Sequence, residues 1–137
     1  MDHNEATENS VPQRQARLVL IVDDEPAIAD SVAAVVEDAR YDVLIAHGGK
    51  QALVLVAQQW PALVMSDVMM PLMDGPTFVT ALRAQAAHWH LPMPTIVFMT
   101  AASRRAVAGV VFDALVEKPF EITTIDALLV RFLGESG

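Results

Sequence analysis

The chain contains no cysteine, which excludes disulfide bonds, thiolate metal sites and a cysteine nucleophile. Any bound metal ion would therefore need oxygen or imidazole ligands. The N-terminus carries acidic residues and no apolar stretch of the kind that marks a secretory signal. Because a protein without cysteine also suits a reducing compartment, we expect it to reside in the cytoplasm.

Positive charge and long apolar runs are also scarce. Nine basic residues against seventeen acidic ones give a formal net charge of -8, which repels nucleic-acid phosphates and anionic membrane surfaces. The longest apolar runs, such as 18–22 and 96–99, fall far short of the roughly 20 residues that a membrane-spanning helix needs. We therefore expect the chain to contact neither nucleic acid nor a membrane directly.

The chain does have enough apolar residues, 53% of its 137, to build one buried core. Residues 1–16 are polar and lack apolar periodicity, which predicts a flexible tail or the end of a linker. One domain is expected over 17–133, with a short tail over 134–137. Continuous apolar runs within the domain predict five buried strands, at 18–22, 43–46, 62–65, 95–99 and 112–116.

Apolar residues at helical spacing follow each predicted strand and indicate one packed helix face apiece. The fourth of these helical stretches, over 103–108, is short and is expected to end at Gly109. A proline-bounded loop is predicted over 88–94. The alternation predicts an α/β fold, a doubly wound, five-stranded parallel sheet with helices on both faces.

Polar side chains follow four of the five predicted strands, at the point where each strand ends. Asp23 and Asp24 follow the first strand, Asp67 the third, Thr100 the fourth and Lys118 the fifth. The carboxyl ends of parallel strands meet at one edge of a sheet, and ligands bind there beside the topological switch point. These side chains are therefore predicted to form one site.

Carboxylates at close range repel one another unless a cation shares their site. We expect Mg²⁺, a hard ion that takes oxygen ligands and typically sits between carboxylates and a phosphate. The adjacent acids Asp23 and Asp24 make the better metal holders. Asp67, which apolar residues follow, is the best candidate for a nucleophile.

Lys118 and Thr100 complete the predicted site. A lysine is a mobile point charge that can pair with a carboxylate or with a phosphoryl oxygen. A threonine hydroxyl can donate a hydrogen bond to the same oxygens. Charge neutralisation and positioning dominate phosphoryl transfer, so the predicted chemistry is acceptance of a phosphoryl group.

Four segments, in this order, resemble the receiver domain of bacterial two-component response regulators: Leu20 to Glu25, Asp67 to Gly75, Met99 to Ala101 and Lys118 to Phe120. The resemblance covers residues 17–133 and implies a flavodoxin-like sheet with strand order 2-1-3-4-5. It also implies that Asp67 accepts a phosphoryl group from a sensor histidine kinase or a histidine phosphotransfer protein. The acyl phosphate would then hydrolyse slowly on the domain itself.

The same resemblance assigns roles around the metal ion. Together with Asp67, Asp24 would bind Mg²⁺ directly, Asp23 would bind it mainly through water, and the backbone carbonyl of Met69 would complete the protein ligands. Thr100 and Lys118 would bind the phosphoryl oxygens.

Three further residues are assigned to turns rather than to the metal. The peptide bond between Lys118 and Pro119 is expected to be cis, as is usual in the family. Asp74 and Gly75 are expected to shape a turn and to cap the third helix.

The chain departs from the family's pattern in two places. Leu115 stands where the family usually has an aromatic residue, three positions before the lysine. The interval from Thr100 to Lys118 is also short, which predicts a truncated fourth helix. Because that region normally belongs to the output face, phosphorylation is expected to reach partners in an atypical way.

Two functions remain open from the sequence. The first is a module whose binding to a downstream protein is switched by phosphorylation, and the second is a receiver-like module that binds independently of it. Neither is an enzyme beyond catalysing its own phosphorylation and dephosphorylation. The chain is expected to be a stand-alone, single-domain response regulator, unless it is a fragment of a longer protein.

Overall fold

The fold was analysed in a computed structural model that describes residues 10–101 and 104–134. The described chain contains five strands: β1 Gln13–Val22, β2 Asp42–Ala46, β3 Gln59–Asp67, β4 Thr95–Thr100 and β5 Ala114–Glu117. It also contains four α-helices: α1 Pro26–Asp38, α2 Gly49–Val56, α3 Gly75–Trp89 and α4 Ile122–Leu133. A single turn of 3₁₀ helix, Arg104–Val107, lies between β4 and β5.

All five strands are parallel and lie in the order β2-β1-β3-β4-β5. The predicted doubly wound sheet and its strand order are thus confirmed. The winding direction changes between β1 and β3, where Val22 pairs with Ser66. Asp67 pairs with Met99 on the next strand. The carboxyl ends of the inner strands are therefore level with one another at the switch point.

The core consists of two apolar layers, one on each face of the sheet. Successive side chains of a strand point to opposite faces, so a continuous apolar run such as Leu18–Val22 supplies both layers at once. Leu20 and Val22 pack with α2 and α3. Val19 and Ile21 pack with α1 and α4. Within the described residues, no helix combines the length and the apolar character that crossing a membrane would require.

Strand β1 begins five residues earlier than predicted, inside the segment expected to be a tail. Gln13–Gln15 pair with Gln59–Pro61, and the register then shifts before Val19. This extension is polar and largely exposed, so it has no apolar periodicity for the sequence to reveal. Residues 1–9 of the predicted N-terminal tail and 135–137 of the C-terminal tail lie outside the described residues.

Helix α3 is longer than predicted and ends at Trp89, so it includes the first residues of the predicted loop over 88–94. Trp89 packs edge-on against the buried Trp60, with ring centroids 5.9 Å apart. His90 then adopts a positive φ of 55° and ends the helix. A tertiary contact, which helical spacing alone does not register, therefore extends the helix.

The segment between β4 and β5 is short, as predicted. Its described part contains only the 3₁₀ turn, followed by Gly109 at a φ of 84°; Ser103, the predicted helix start, lies outside the described residues. Strand β5 begins at Ala114 rather than at Phe112. Phe112 instead packs edge-on against Phe98, with ring centroids 5.4 Å apart, so its apolar character reflects packing and not strand pairing.

The start of α3 packs directly against the end of β3. The side chain of Asp74 caps the helix by accepting a hydrogen bond from the Thr77 N–H at 2.8 Å. The Gly75 N–H donates to the Val68 carbonyl at 2.9 Å. A Cβ atom at Gly75 would collide with the main-chain carbonyl oxygen of Asp67. The absence of a side chain at Gly75 therefore allows the helix to approach Asp67.

We predict that Gly75→Ala destabilises the protein although alanine favours helices. The collision with the main chain should lower the free energy of unfolding by about 1 to 3 kcal/mol, measured by urea denaturation. Gly48→Ala is the matched control, because a Cβ atom there meets nothing within 4 Å, and it should change stability by less than about 0.5 kcal/mol. Equal stability of the two variants would contradict this explanation.

Candidate functional site

The predicted side chains meet in a cleft at the carboxyl edge of the sheet, beside the switch point between β1 and β3. The cleft has a volume of about 390 Å³ and is lined by Asp24, Glu25, Asp67, Met69, Ala101 and Lys118. Asp23 and Thr100 are almost completely buried at the same edge, with 0% and 1% of their surface exposed. The cleft thus combines residues from four strand ends.

Lys118 and Asp23 form the closest ion pair of the cleft. Lys118 Nζ donates to Asp23 Oδ2 at 2.9 Å, and Asp23 Oδ1 accepts the Glu25 N–H at 2.9 Å. Lys118 Nζ also lies 3.5 Å from Asp67 Oδ2 and 3.6 Å from Glu25 Oε1. One ammonium group is therefore shared among three carboxylates, and both oxygens of Asp23 are engaged.

These contacts keep Lys118 charged. Burial on its own would lower the pKa of the Lys118 ammonium, but the hydrogen bond and charge of Asp23 and the charges of Asp67 and Glu25 raise it above its usual value of 10.5. The lysine is therefore a permanent positive charge at neutral pH. The peptide bond that follows it, to Pro119, is cis.

Asp67 has a carboxyl group that resists ionisation. Burial raises the pKa of Asp67 from 3.8 to about 6; Lys118 opposes this rise, while the negative charges of Asp23 and Asp24 add to it. Lys118 thus offsets only part of the combined effect of burial and of the neighbouring carboxylates on Asp67. An additional cation in the cleft would relieve this imbalance.

Three carboxylates, those of Asp23, Glu25 and Asp67, each have one oxygen within 4.8 Å of the other two. Asp24, which the sequence favoured as a metal holder, is not in this trio, although it lines the same cleft. Glu25 was not assigned a role from sequence. The sequence feature that could have identified Glu25 is its position as the third consecutive acidic residue after β1.

The donor groups in the cleft fit Mg²⁺. The side chains of Asp23, Asp24, Glu25 and Asp67 all offer carboxylate oxygens, the ligand type that hard divalent cations prefer. Among residues 10–101 and 104–134, neither cysteine nor histidine lines the cleft, so its chemistry does not favour zinc. Met69 also lines it, with its side chain exposed.

His47 is a further residue at this edge that the sequence analysis did not single out. It follows β2 directly, and its Nδ1 lies 3.1 Å from the carbonyl oxygen of Asp23. The sequence feature that could have identified His47 is its position as a polar residue directly after the second predicted strand. No site residue was assigned to the end of that strand. Leu115, by contrast, is half-buried and packs against the apolar layer that contains Phe98.

We predict that Asp67→Asn stabilises the metal-free protein in a pH-dependent way. The raised pKa of Asp67 means that the folded state is penalised once this carboxyl ionises. The penalty should be absent below about pH 4, grow as the pH rises through about 6, and remain above it. Urea denaturation in EDTA at pH 7.5 should show a gain of about 1 to 2 kcal/mol, reduced from the full effect because water reaches the cleft.

The matched control for this prediction is Asp126→Asn, which neutralises an exposed aspartate on α4 and should change stability by less than about 0.5 kcal/mol. Added Mg²⁺ should narrow the gap between Asp67→Asn and the unmodified protein. A gap that is the same at pH 4 and pH 7.5 would contradict the assigned cause.

Sequence comparison places these residues in a known family. Residues 19–129 match the family model of the response regulator receiver domain. Response regulator Rre1 of Synechocystis is 36% identical over 124 residues, which cover 85% of this chain and 51% of Rre1. The DNA-binding dual master transcriptional regulator RpaA of Synechocystis is 40% identical over 75 residues, which cover 55% of this chain and 31% of RpaA. The chain thus spans about half the length of Rre1 and less than a third of the length of RpaA.

Solved structures agree with this match. The chemotaxis protein CheY4 of Vibrio cholerae superimposes with a TM-score of 0.75 at 28% identity, covering 90% of this chain and 99% of CheY4. The receiver domain of a signal transduction histidine kinase from Syntrophus aciditrophicus gives a TM-score of 0.73 at 26% identity, covering 85% and 89% of the two chains. Given the family match, the strand order and the acidic cleft, this chain belongs to the response regulator receiver domain family of two-component signalling.

Proposed function

We propose that this receiver domain accepts a phosphoryl group on Asp67, with Mg²⁺ as its cofactor, and thereby changes its affinity for a downstream protein. The donor would be a histidine kinase or a histidine phosphotransfer protein. The observation that carries the proposal is the position of the Asp67 carboxylate, which lies 3.5 Å from Lys118 Nζ in an acidic cleft with too little positive charge.

In the transfer step, a carboxylate oxygen of Asp67 would form a bond to phosphorus while the bond from phosphorus to the donor nitrogen breaks. Asp67 must be ionised to attack, and a pKa of about 6 leaves most of it ionised at neutral pH. Water would later cleave the acyl phosphate and return the carboxylate. The domain would thus catalyse its own phosphorylation and slow dephosphorylation.

Lys118 and Thr100 are suited to hold the new phosphoryl group. The Lys118 ammonium already lies between Asp23 and Asp67, so a small movement would bring it to a phosphoryl oxygen. Thr100 ends β4 at the same edge and offers a hydroxyl donor.

Asp24, Asp67 and the Met69 carbonyl would hold Mg²⁺ directly. Asp23 would act through water, which agrees with the engagement of both its oxygens by Lys118 and Glu25. Bound Mg²⁺ would supply charge neutralisation for the phosphoryl oxygens. Glu25 adds a further carboxylate that the sequence analysis did not include.

The output of the domain is part of this proposal. The name of RpaA describes DNA binding, but this chain matches only 31% of that protein. We propose a protein partner for this chain in the cytoplasm, with no direct contact to nucleic acid or membrane. The net charge of -8 supports this choice.

We predict that incubation with Mg²⁺ and acetyl phosphate adds the mass of one phosphoryl group to the protein, detected by intact mass spectrometry. Asp67→Asn should abolish the addition, and EDTA should prevent it. Asp126→Asn, which neutralises an exposed aspartate on α4, should leave it unchanged. Failure of the unmodified protein to gain mass, or a gain that persists in Asp67→Asn, would refute the proposed acceptor.

A second candidate function is constitutive binding that ignores phosphorylation. It is favoured by Leu115 in place of the usual aromatic residue and by the single 3₁₀ turn between β4 and β5 in the described chain. Both features lie in the region through which related receiver domains are expected to transmit the effect of phosphorylation to their partners. A receiver that cannot transmit the change could still bind its partner through a fixed surface.

The two candidates differ in how beryllofluoride, a stable mimic of the phosphoryl group, affects partner binding. Partners would be captured with the untreated and the beryllofluoride-treated protein, and their affinities compared. The leading proposal predicts at least a fivefold difference, which corresponds to about 1 kcal/mol of coupling. Affinities within twofold of each other would instead support constitutive binding, provided that Asp67 is shown to accept the mimic.

A further inference from the structure

The turn between β2 and α2, residues 46–49, binds the main chain of Asp23 on both sides. The Asp23 N–H donates to the Ala46 carbonyl at 3.0 Å, and His47 Nδ1 lies 3.1 Å from the Asp23 carbonyl oxygen. A carbonyl can only accept a hydrogen bond, so Nδ1 carries the proton and donates. Both backbone polar groups of Asp23 are therefore held by one turn.

The turn itself is fixed by the first residues of α2. The His47 N–H donates to the Gln51 side-chain oxygen at 2.8 Å, and the Ala52 N–H donates to the Gly48 carbonyl at 3.0 Å. His47 is exposed, yet its N–H and the carbonyl of the next residue, Gly48, are both held by hydrogen bonds. The imidazole is thus directed towards Asp23 by the turn rather than by burial.

The same turn contacts the loop on the other side of the cleft. A Cβ atom at Gly49 would lie 2.6 Å from Met73 Sδ and 2.7 Å from Met73 Cγ, so Met73 occupies the space that a side chain at position 49 would fill. Met73 belongs to the loop that joins Asp67 to α3, and its N–H donates to the Pro71 carbonyl at 2.8 Å. A side chain at position 49 would therefore force the Met73 side chain to move within the loop that carries Met69.

The relation between the two loops sets the geometry of the cleft. Asp23 and its neighbours come from the β1 side, whereas Asp67 and Met69 come from the β3 side. Metal-ligating residues are held in place by the groups that hydrogen-bond to them, and loss of such a group typically weakens metal affinity. A turn that contacts both loops can fix their positions relative to each other.

We propose that His47 and Gly49 are positioning residues for the phosphoacceptor site. His47 holds the main chain of Asp23 through a hydrogen bond, and Gly49 provides the space that keeps Met73 and its loop in place. This inference rests on the proposed Mg²⁺-dependent function of Asp67. Neither residue touches the reacting atoms, so each acts through the loop that it contacts.

The role of His47 is tested with His47→Ala, His47→Asn and the control His88→Ala, which removes an exposed histidine near the end of α3. Mg²⁺ affinity would be measured by titration in NMR spectra of the ¹⁵N-labelled protein. His47→Ala should bind Mg²⁺ about three- to tenfold more weakly. His47→Asn keeps a side-chain donor and should stay within twofold of the control, whereas equal losses in both variants would overturn the hydrogen-bond role.

A metal-free measurement separates this inference from the proposed function. The Glu25 N–H donates to Asp23 Oδ1 at 2.9 Å, so its amide resonance reports the position of the Asp23 carboxylate. His47→Ala should shift this resonance in EDTA, and His88→Ala should not. An unchanged resonance would overturn the role of His47, whether or not the unmodified protein binds Mg²⁺ or gains a phosphoryl group.

The role of Gly49 is tested by a double-mutant cycle with Met73. Gly49→Ala should weaken Mg²⁺ binding about threefold or more, although alanine favours the helix that begins there. Met73→Ala removes Sδ and Cγ, the two Met73 atoms closer than 3.0 Å to the added Cβ, so adding Gly49→Ala to it should cost less than twofold in affinity. An equal loss with and without Met73, or no loss in Gly49→Ala, would overturn the role of this contact.

Discussion

The ion pair between Lys118 and the buried Asp23, at 2.9 Å, is the interaction on which the rest of the site depends. A buried carboxylate is costly without a partner, and Lys118 supplies that partner across the sheet, from beyond β5. The same lysine is shared with Asp67 and Glu25. Burial raises the pKa of Asp67, and the charges of Asp23 and Asp24 add to this rise, whereas Lys118 opposes it. A buried carboxyl among further carboxylates favours the binding of a divalent cation, together with a phosphate group that the cation coordinates.

The sheet makes this balance possible by its strand order. Since β1 and β3 are neighbours at the switch point, Asp23 and Asp67 approach each other although 44 positions of sequence separate their numbers. The close packing of α3 against the end of β3, through Gly75, fixes the main chain of Asp67. The turn after β2 is the remaining neighbour of Asp23. The start of α3 thus packs against Asp67 and the turn after β2 contacts Asp23, an arrangement that suits a reaction dependent on positioning.

The region between β4 and β5 has a different physical character. Its described part contains one 3₁₀ turn whose buried residue, Val107, packs into the layer beneath α2 and α3. Leu115 packs into the same layer near Phe98, and Phe112 lies edge-on against Phe98. Leu115 also pairs with Phe98 in the sheet, so this region is joined to β4 by packing and by strand pairing.

Much of the fold and site was predictable from the sequence by itself. Continuous apolar runs determined the buried strands because burial on both faces excludes polar residues, and the acids, threonine and lysine were recognisable because each follows such a run. The polar extension of β1 and the end of α3 at Trp89 were not predictable, since they depend on pairing with β3 and on contact with Trp60. The tertiary structure alone decided that oxygens of Glu25, Asp23 and Asp67 lie within 4.8 Å of one another, and that His47 contacts the main chain of Asp23. The physical reason is that side-chain direction in a turn is set by hydrogen bonds between segments distant in sequence, which residue order does not encode locally.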